Sequence, residues 1–234
     1  MSYNWNTRTE LLFGAERMER LSRSHVLVVG LGGVGAYAAE QICRAGVGKM
    51  TIIDADTVNE SNINRQLPAL HSTLGMPKAE VVAKRLLDIN PQLQLTVLRD
   101  ERTEEVLLSA PLDFVVDAID SLSPKVSLMY QAYIHKIPIV SSMGAGAKVD
   151  PSLVRIADIS KTINCALAKA VRKRLRPLGV SKGIPVVFST EFADPDAVIE
   201  VENETCKRTT TGTVSYMPAT FGCFLASHVL RNLI

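Results

Sequence analysis

The sequence has no apolar run near the ~18–20 residues that a membrane span needs. It has no C-x-x-C pair, few aromatic residues (5%) and a net charge of only +2. Each shortage removes a class of function. Cys43, Cys165, Cys206 and Cys223 stand far apart, whereas structural zinc is held by closely spaced pairs, so no zinc site is expected. A chain this long does not need disulfides either. Cys43 and Cys223 lie in apolar helical surroundings and are expected in the core. Cys206, in VENETCKRTTTG, is expected at the surface. So small a net charge gives no general affinity for nucleic acid, and any basic surface has to be local. The start, MSYNWNTRTELLFG, has neither the cationic opening nor the apolar stretch of a signal peptide. A cytoplasmic protein with no membrane partner is expected.

What is present is globular in composition: 234 residues, 47% hydrophobic and 21% charged. That length suits one large domain over residues 1–234. It divides into an N-terminal helical arm over 1–22, a nucleotide-binding core over 23–142 and a C-terminal substrate part over 143–234. Leu11, Leu12, Met18 and Leu21 mark the arm as amphipathic helix, broken at Gly14. Short β-branched strands are expected at 25–30, 49–54, 94–100, 113–120 and 137–142. Helices are expected between them at 33–45, 77–90 and 124–135, the last capped by Ser123 and Pro124. This alternation predicts an α/β fold with a Rossmann-like, doubly wound, mostly parallel sheet. After residue 143 the pattern turns mixed. GAGAKVDPSLVRIADI and GIPVVFSTE read as strands that extend the sheet. The basic helix NCALAKAVRKRLRPLG lies between them, and an apolar helix follows over 218–233.

Gly30, Gly32 and Gly35 fit G-x-G-x-x-G directly after a strand and at the start of a helix. The first glycine permits the tight turn, the second lets phosphates approach the backbone, and the third lets helix pack on strand. Free N–H groups at the helix start attract the anion. Asp54 ends the next strand, where a carboxylate accepts ribose hydroxyls. A purely structural turn, or a nicotinamide site with His135 or His228 near the chemistry, are the alternatives.

The polar stretch DADTVNESNINRQ, with Asp56, Asn62, Arg65 and Gln66, and then Lys78, favours ATP. A triphosphate carries about twice the charge of a dinucleotide pyrophosphate, and cleaving it needs cations on the departing oxygens. Arg65 and Lys78 supply them. Asp120, expected at the end of its strand, is the candidate to hold Mg²⁺. Asp117, by alternation, points elsewhere and is structural. Farther on, Lys169, Arg172, Lys173, Arg174 and Arg176 crowd one helix, opposite an apolar face of Ile163, Leu167, Ala170, Val171 and Leu175. That density of cations suits phosphate-backbone contact, and Lys161, Lys182, Lys207 and Arg208 enlarge it.

With GLGGVG, DADTVNESNINRQ, Pro77-Lys78 and DAIDS assembled in order, the chain resembles the ubiquitin-activating-enzyme-like adenylyltransferases. The resemblance implies Mg-ATP-dependent adenylation of a carboxylate, with Gly33, Asp54, Asn62, Arg65, Lys78 and Asp120 at the ATP site. It also implies a homodimer in which Arg8 reaches the partner's ATP. Within that superfamily the chain is similar to the bacterial family of tRNA threonylcarbamoyladenosine dehydratases. DAIDSLSPKVSL, IPIVSSMGAGAKVDPS, ADISKT…AKAVRKRLR, GIPVVFSTE and PATFGCFLASHVL carry this likeness. It implies closure of the modified adenosine of tRNA to a cyclic form, with a cysteine desulfurase or sulfur-acceptor system as a further partner. Activation of a sulfur-carrier or ubiquitin-like protein is the alternative, although those activators usually carry the C-x-x-C pairs this chain lacks. A tRNA-binding module with a degenerate ATP pocket is another, against which Arg65, Lys78 and Asp120 count.

Overall fold

Short apolar runs such as VLVV and FVVD cannot satisfy their backbone groups alone, and they pair into one sheet buried on both faces. In this computed structural model, residues 4–100, 103–109, 111–200 and 209–234 are described. The arm is α1 (Thr7–Phe13) and α2 (Ala15–Arg23), parted by Gly14 at φ +80°. There follow β1 (His25–Val29), α3 (Gly35–Arg44), β2 (Lys49–Ile53), α4 (Lys78–Ile89) and β3 (Gln94–Leu98). Next come α5 (Thr103–Ser109), β4 (Phe114–Asp117), α6 (Leu122–Ile134) and β5 (Ile139–Ser142). The remainder is β6 (Val154–Asp158), α7 (Ala166–Leu175), β7 (Pro185–Ser189), β8 (Val198–Glu200), β9 (Thr209–Thr211) and α8 (Tyr216–Leu233).

The main sheet runs β3-β2-β1-β4-β5-β7-β6, parallel except for β6 on β7. Val26 of β1 faces Met50 on one side and Phe114 on the other. Connections leave β1 toward β2 and leave β4 toward β5, so a crevice opens outside the carboxyl ends of β1 and β4. One core packs α3, α4 and α8 on one sheet face, and a second packs α5, α6 and α7 on the other. Met217, Phe221, Leu225 and Val229 recur every fourth residue along α8 and are buried. Burying each large side chain of this kind is worth about 1.5–3 kcal/mol. β8 and β9 form a separate antiparallel pair.

Several expectations need correction. The 113–120 strand stops at Asp117, and Asp120 sits in the turn beyond it. Ser121, not Ser123, occupies the N-cap of α6, and Ser123 and Pro124 lie inside the helix. Only Val154–Asp158 of GAGAKVDPSLVRIADI forms a strand. The first helix of the core begins at Gly35 rather than residue 33. Ile163 precedes α7 and is exposed, and the buried face is Ala168, Val171 and Leu175. Cys43 is buried as expected, but Cys223 is exposed because α8 turns the Phe221 face inward. Leu11 and Leu12 also stand in solvent, 75% and 76% exposed, although Leu21 is buried. Cys206, Lys207 and Arg208 lie outside the described residues.

Candidate nucleotide site

The glycine turn is built by close approach. Gly30, at φ +86°, donates its N–H to Ile53 O at 2.9 Å, and a Cβ there would meet Ala118 O at 2.7 Å. A Cβ on Gly35 would stand 1.8 Å from Gly30 O. The nearest obstacle at each of these glycines is a backbone oxygen, and α3 begins where its free N–H groups face the crevice. Gly32 has more room, with the Gln66 side chain 3.6 Å from where its Cβ would be. Gly33 rests against Pro218 of α8.

Asp54, just past β2, fixes this turn. Its Oδ2 accepts from Leu31 N at 2.6 Å and its Oδ1 from Asp56 N at 2.9 Å. Burial pushes its carboxyl above the usual range, against the opposing pull of the Leu31 N–H and the Lys78 ammonium. Each oxygen keeps a second lone pair, so Asp54 can still accept hydroxyl donors.

The polar loop converges on the same edge. An antiparallel bridge between Thr57 and Pro77 folds it back. Lys78, 5% exposed, thereby meets Asp56, with Nζ 2.8 Å from Oδ2. Asn62 is buried, and its Oδ1 accepts from Asn59 N in a reciprocal cap. Arg65, half-buried, bonds Ser61 O and Asn64 Oδ1 through one nitrogen. Gln66 Oε1 is buried with no hydrogen-bond partner among the described residues. A buried orphan acceptor is costly and points to a group that completes it.

Beyond β4, Asp117 Oδ1 accepts from Ile119 N at 3.0 Å, shaping the turn that carries Asp120 to the crevice. Its Oδ2 is held by Lys125 Nζ at 2.7 Å and by the Ser141 hydroxyl at 2.6 Å. Asp117 is structural, as alternation implies. Its inward lysine was not foreseen, and only its position on the buried stripe of α6 signals it. Lys148 was likewise missed. It is 4% exposed, donates to Ser189 O at 3.0 Å, and is pushed down by burial.

Other residues lie elsewhere. Asn6, beside α1, sits near Gly46 just past the far end of α3, so the arm, with the exposed Arg8, approaches the opposite end from the glycine turn. His135 follows α6 just before β5, at the amino ends of the strands, and His228 packs its ring on Phe114 at the start of β4. Neither histidine can serve a reaction at the glycine turn. On α7, Lys169, Lys173 and Arg174 are exposed, as is Arg176 just after it. Arg172 instead turns inward onto Thr162 and Ile159 O.

The family model of the ThiF family matches residues 3–234. The chain is 40% identical to the tRNA threonylcarbamoyladenosine dehydratase of Bacillus subtilis, covering 97% of this chain and 94% of that protein. It is similar in structure to the Escherichia coli tRNA N6-threonylcarbamoyladenosine dehydratase solved in complex with ATP. The TM-score is 0.88 at 36% identity, over 98% of this chain and 93% of that one. The molybdopterin-synthase adenylyltransferase of Salmonella typhimurium is 36% identical over only 59% of this chain and 55% of its own length.

Proposed function

The chain belongs to the ThiF family, and from that premise we propose that it dehydrates tRNA threonylcarbamoyladenosine to its cyclic form, using ATP. The observation that carries this is coverage. Likeness to a dehydratase runs over 97% of the chain, whereas likeness to a carrier activator stops at 59%. The same span joins the nucleotide crevice to the basic helix α7.

The threonyl carboxylate is ionised and a poor electrophile. Its attack on the α-phosphate of ATP forms an acyl-adenylate and releases pyrophosphate. An atom of the neighbouring carbamoyl group then closes the ring intramolecularly, with the advantage of a tethered nucleophile. AMP leaves, and the net change is loss of one water. This route asks the protein for charge and position rather than a nucleophile.

The residues divide the work. Gly30, whose own N–H is held by Ile53 O, makes the tight turn, and Gly32, Gly33 and Gly35 bring backbone N–H groups to the phosphates. Asp54 takes the ribose with its remaining lone pairs, and Gln66 Oε1 gains its missing partner from the nucleotide. Asn62 and Asp56 hold the loop over it. Lys78 exchanges Asp56 for a phosphate oxygen, and Arg65 forks onto the departing pyrophosphate. Among the described residues no cluster of three metal-ligating side chains exists. Mg²⁺ on a nucleotide needs only one or two carboxylates besides the phosphates, so the exposed Asp120 fits the ion. When bound, Mg²⁺ neutralises charge on the phosphates.

A homodimer is supported by the arm, which exposes Leu11 and Leu12 and holds Arg8 away from its own glycine turn. A partner's crevice is where Arg8 acts. Lys169, Lys173, Arg174 and Arg176 in the 143–234 part contact tRNA, and Arg172 braces the helix from within. We place the protein in the cytoplasm, with a cysteine desulfurase or sulfur-acceptor system as a further partner.

The test is mass spectrometry of tRNA nucleosides after incubation of modified tRNA with protein, Mg²⁺ and ATP, beside an Asp120→Ala control. Loss of one water with formation of AMP, both absent in the control, is the expected result. Unchanged tRNA, with ATP–pyrophosphate exchange only on adding a Gly-Gly-tailed carrier protein, would sink the reading.

A further inference from the structure

An open cavity of about 500 Å³ lies between α6 and α7 on the face away from α8. Its size falls in the ~300–1,000 Å³ range of small-molecule clefts. The floor is apolar: Leu122 from the first turn of α6, Ala170 from α7, and Pro177 and Leu178 just after it. The rim is cationic, formed by Lys173 and Arg174. Arg174 Nη1 donates to Ser123 Oγ at 2.8 Å, so α7 is tied across the groove to the start of α6. That start follows Ser121, the N-cap, and Asp120 directly. The groove therefore opens beside the carboxylate assigned to the nucleotide crevice. Lys169 and Arg176, both exposed, extend the positive charge outward along α7.

An apolar floor under a rim of fixed cations matches one ligand chemistry closely: an unstacked nucleobase with phosphates on either side. Leu178 is 45% exposed although it lines this floor, so a large apolar surface is offered to solvent next to guanidinium and ammonium groups. A protein segment would call for acidic partners along the same rim. Single-stranded RNA meets both requirements in one repeating unit.

We propose that this groove receives a nucleotide of the tRNA anticodon loop adjacent to the modified adenosine. Its base lies against Leu122, Ala170, Pro177 and Leu178, and its flanking phosphates lie on Lys173 and Arg174. The inference rests on the dehydratase reading and deepens it. Docking a neighbouring nucleotide here sets the threonyl carboxylate in the crevice beside Asp120, and the base is held on aliphatic side chains, since no aromatic side chain among the described residues lines the groove.

The experiment measures binding of a fluorescent anticodon stem-loop carrying threonylcarbamoyladenosine to the full chain, across a salt series. Wild type, Leu178→Asp and the double variant Lys173→Ala/Arg174→Ala are compared, with ATP affinity and thermal stability measured on each. Leu178→Asp, a change at a solvent-exposed position, is expected to weaken RNA binding about tenfold with ATP affinity unchanged. The double variant is expected to weaken binding and to reduce the slope of log affinity against log salt by about two. RNA affinity and salt slope equal to wild type in both variants, with wild type converting modified tRNA, would overturn the groove alone. Binding of a protein extract component that Leu178→Asp abolishes while RNA binding persists would overturn it too. Wild type that binds ATP yet leaves modified tRNA unchanged would overturn the dehydratase reading and the groove assignment with it.

Discussion

Lys125 Nζ lies 2.7 Å from Asp117 Oδ2, and neither side chain has any exposed surface. Two charges taken wholly out of water are tolerable only together, and each leaves a large penalty if the other is removed. The pair also reaches function, because the second oxygen of Asp117 shapes the turn that presents Asp120.

Lys125→Met is expected to destabilise the fold by about 3–5 kcal/mol, the cost of a buried charge left alone. The double variant Asp117→Val/Lys125→Met should recover most of that stability. It should not recover activity, because Ile119 N loses its acceptor and the turn loses its shape. Urea unfolding and nucleoside mass spectrometry on the two variants separate these effects. A double variant no more stable than Lys125→Met contradicts the account.

The glycines of the turn should respond differently to the same added methyl group. Gly35→Ala places a Cβ 1.8 Å from a backbone oxygen that cannot move aside, and a loss of more than about 3 kcal/mol is expected. Gly32→Ala meets nothing closer than 3.6 Å, and stability should stay within about 0.5 kcal/mol. Its methyl group nonetheless stands between backbone and phosphate, so ATP affinity falls at least about tenfold. Calorimetric titration with ATP alongside urea melts provides the check.

Lys78→Met removes a cation that the fold has already desolvated to 5% exposure. A charge-assisted hydrogen bond of this kind contributes about 1.5–3 kcal/mol, so the Kd for ATP should rise roughly ten- to hundredfold. Affinity for the anticodon stem-loop should be unaffected. An equal fall in both affinities would mean that Lys78 acts on the fold rather than on the nucleotide.

A pH dependence follows from Glu40 on α3. Burial alone would raise its carboxyl, but Arg85 and Arg44 outweigh burial and hold it below its ordinary value of 4.5. The folded state then binds that proton more weakly than the unfolded chain. The stabilisation is fully present above pH 4.5 and is lost as pH falls through the depressed folded value. Glu40→Gln is expected to cost about 1 kcal/mol near neutrality, a modest figure because both arginines are half-exposed. It should also flatten the acid limb of stability against pH. Urea midpoints between pH 3 and 7 measure both.

These residues also show what could be read in advance. β1 and Gly30 were legible because a buried strand and a glycine fingerprint are local patterns. Asp117 was legible by alternation, but Lys125 was not, since its pairing depends on how α6 is rotated over the sheet. The link between Asp56 and Lys78 depends on the bridge of Thr57 to Pro77, which closes a loop no periodicity describes. Serines at 121 and 123 read alike as caps of α6, and only the path of the chain after Asp117 puts Ser121 at the N-cap, where its side chain makes no capping bond. Arg172 reads as one of the surface cations because composition cannot tell an arginine that bonds inward to Thr162 from one that faces water. Leu11 and Leu12 announced an apolar face, but such a pattern does not say what covers it.

The glycine turn is braced from far along the chain: Pro218 rests on Gly33, and Gly222 lets α8 approach Val34 O so closely that a Cβ would stand 2.6 Å away. Contacts between segments so distant in sequence form late in folding, because the loop between them must be closed first. A nucleotide that binds only while α8 is docked would hold that helix in place by mass action. Undocking α8 would then cost most where nucleotide is abundant and least where it is scarce.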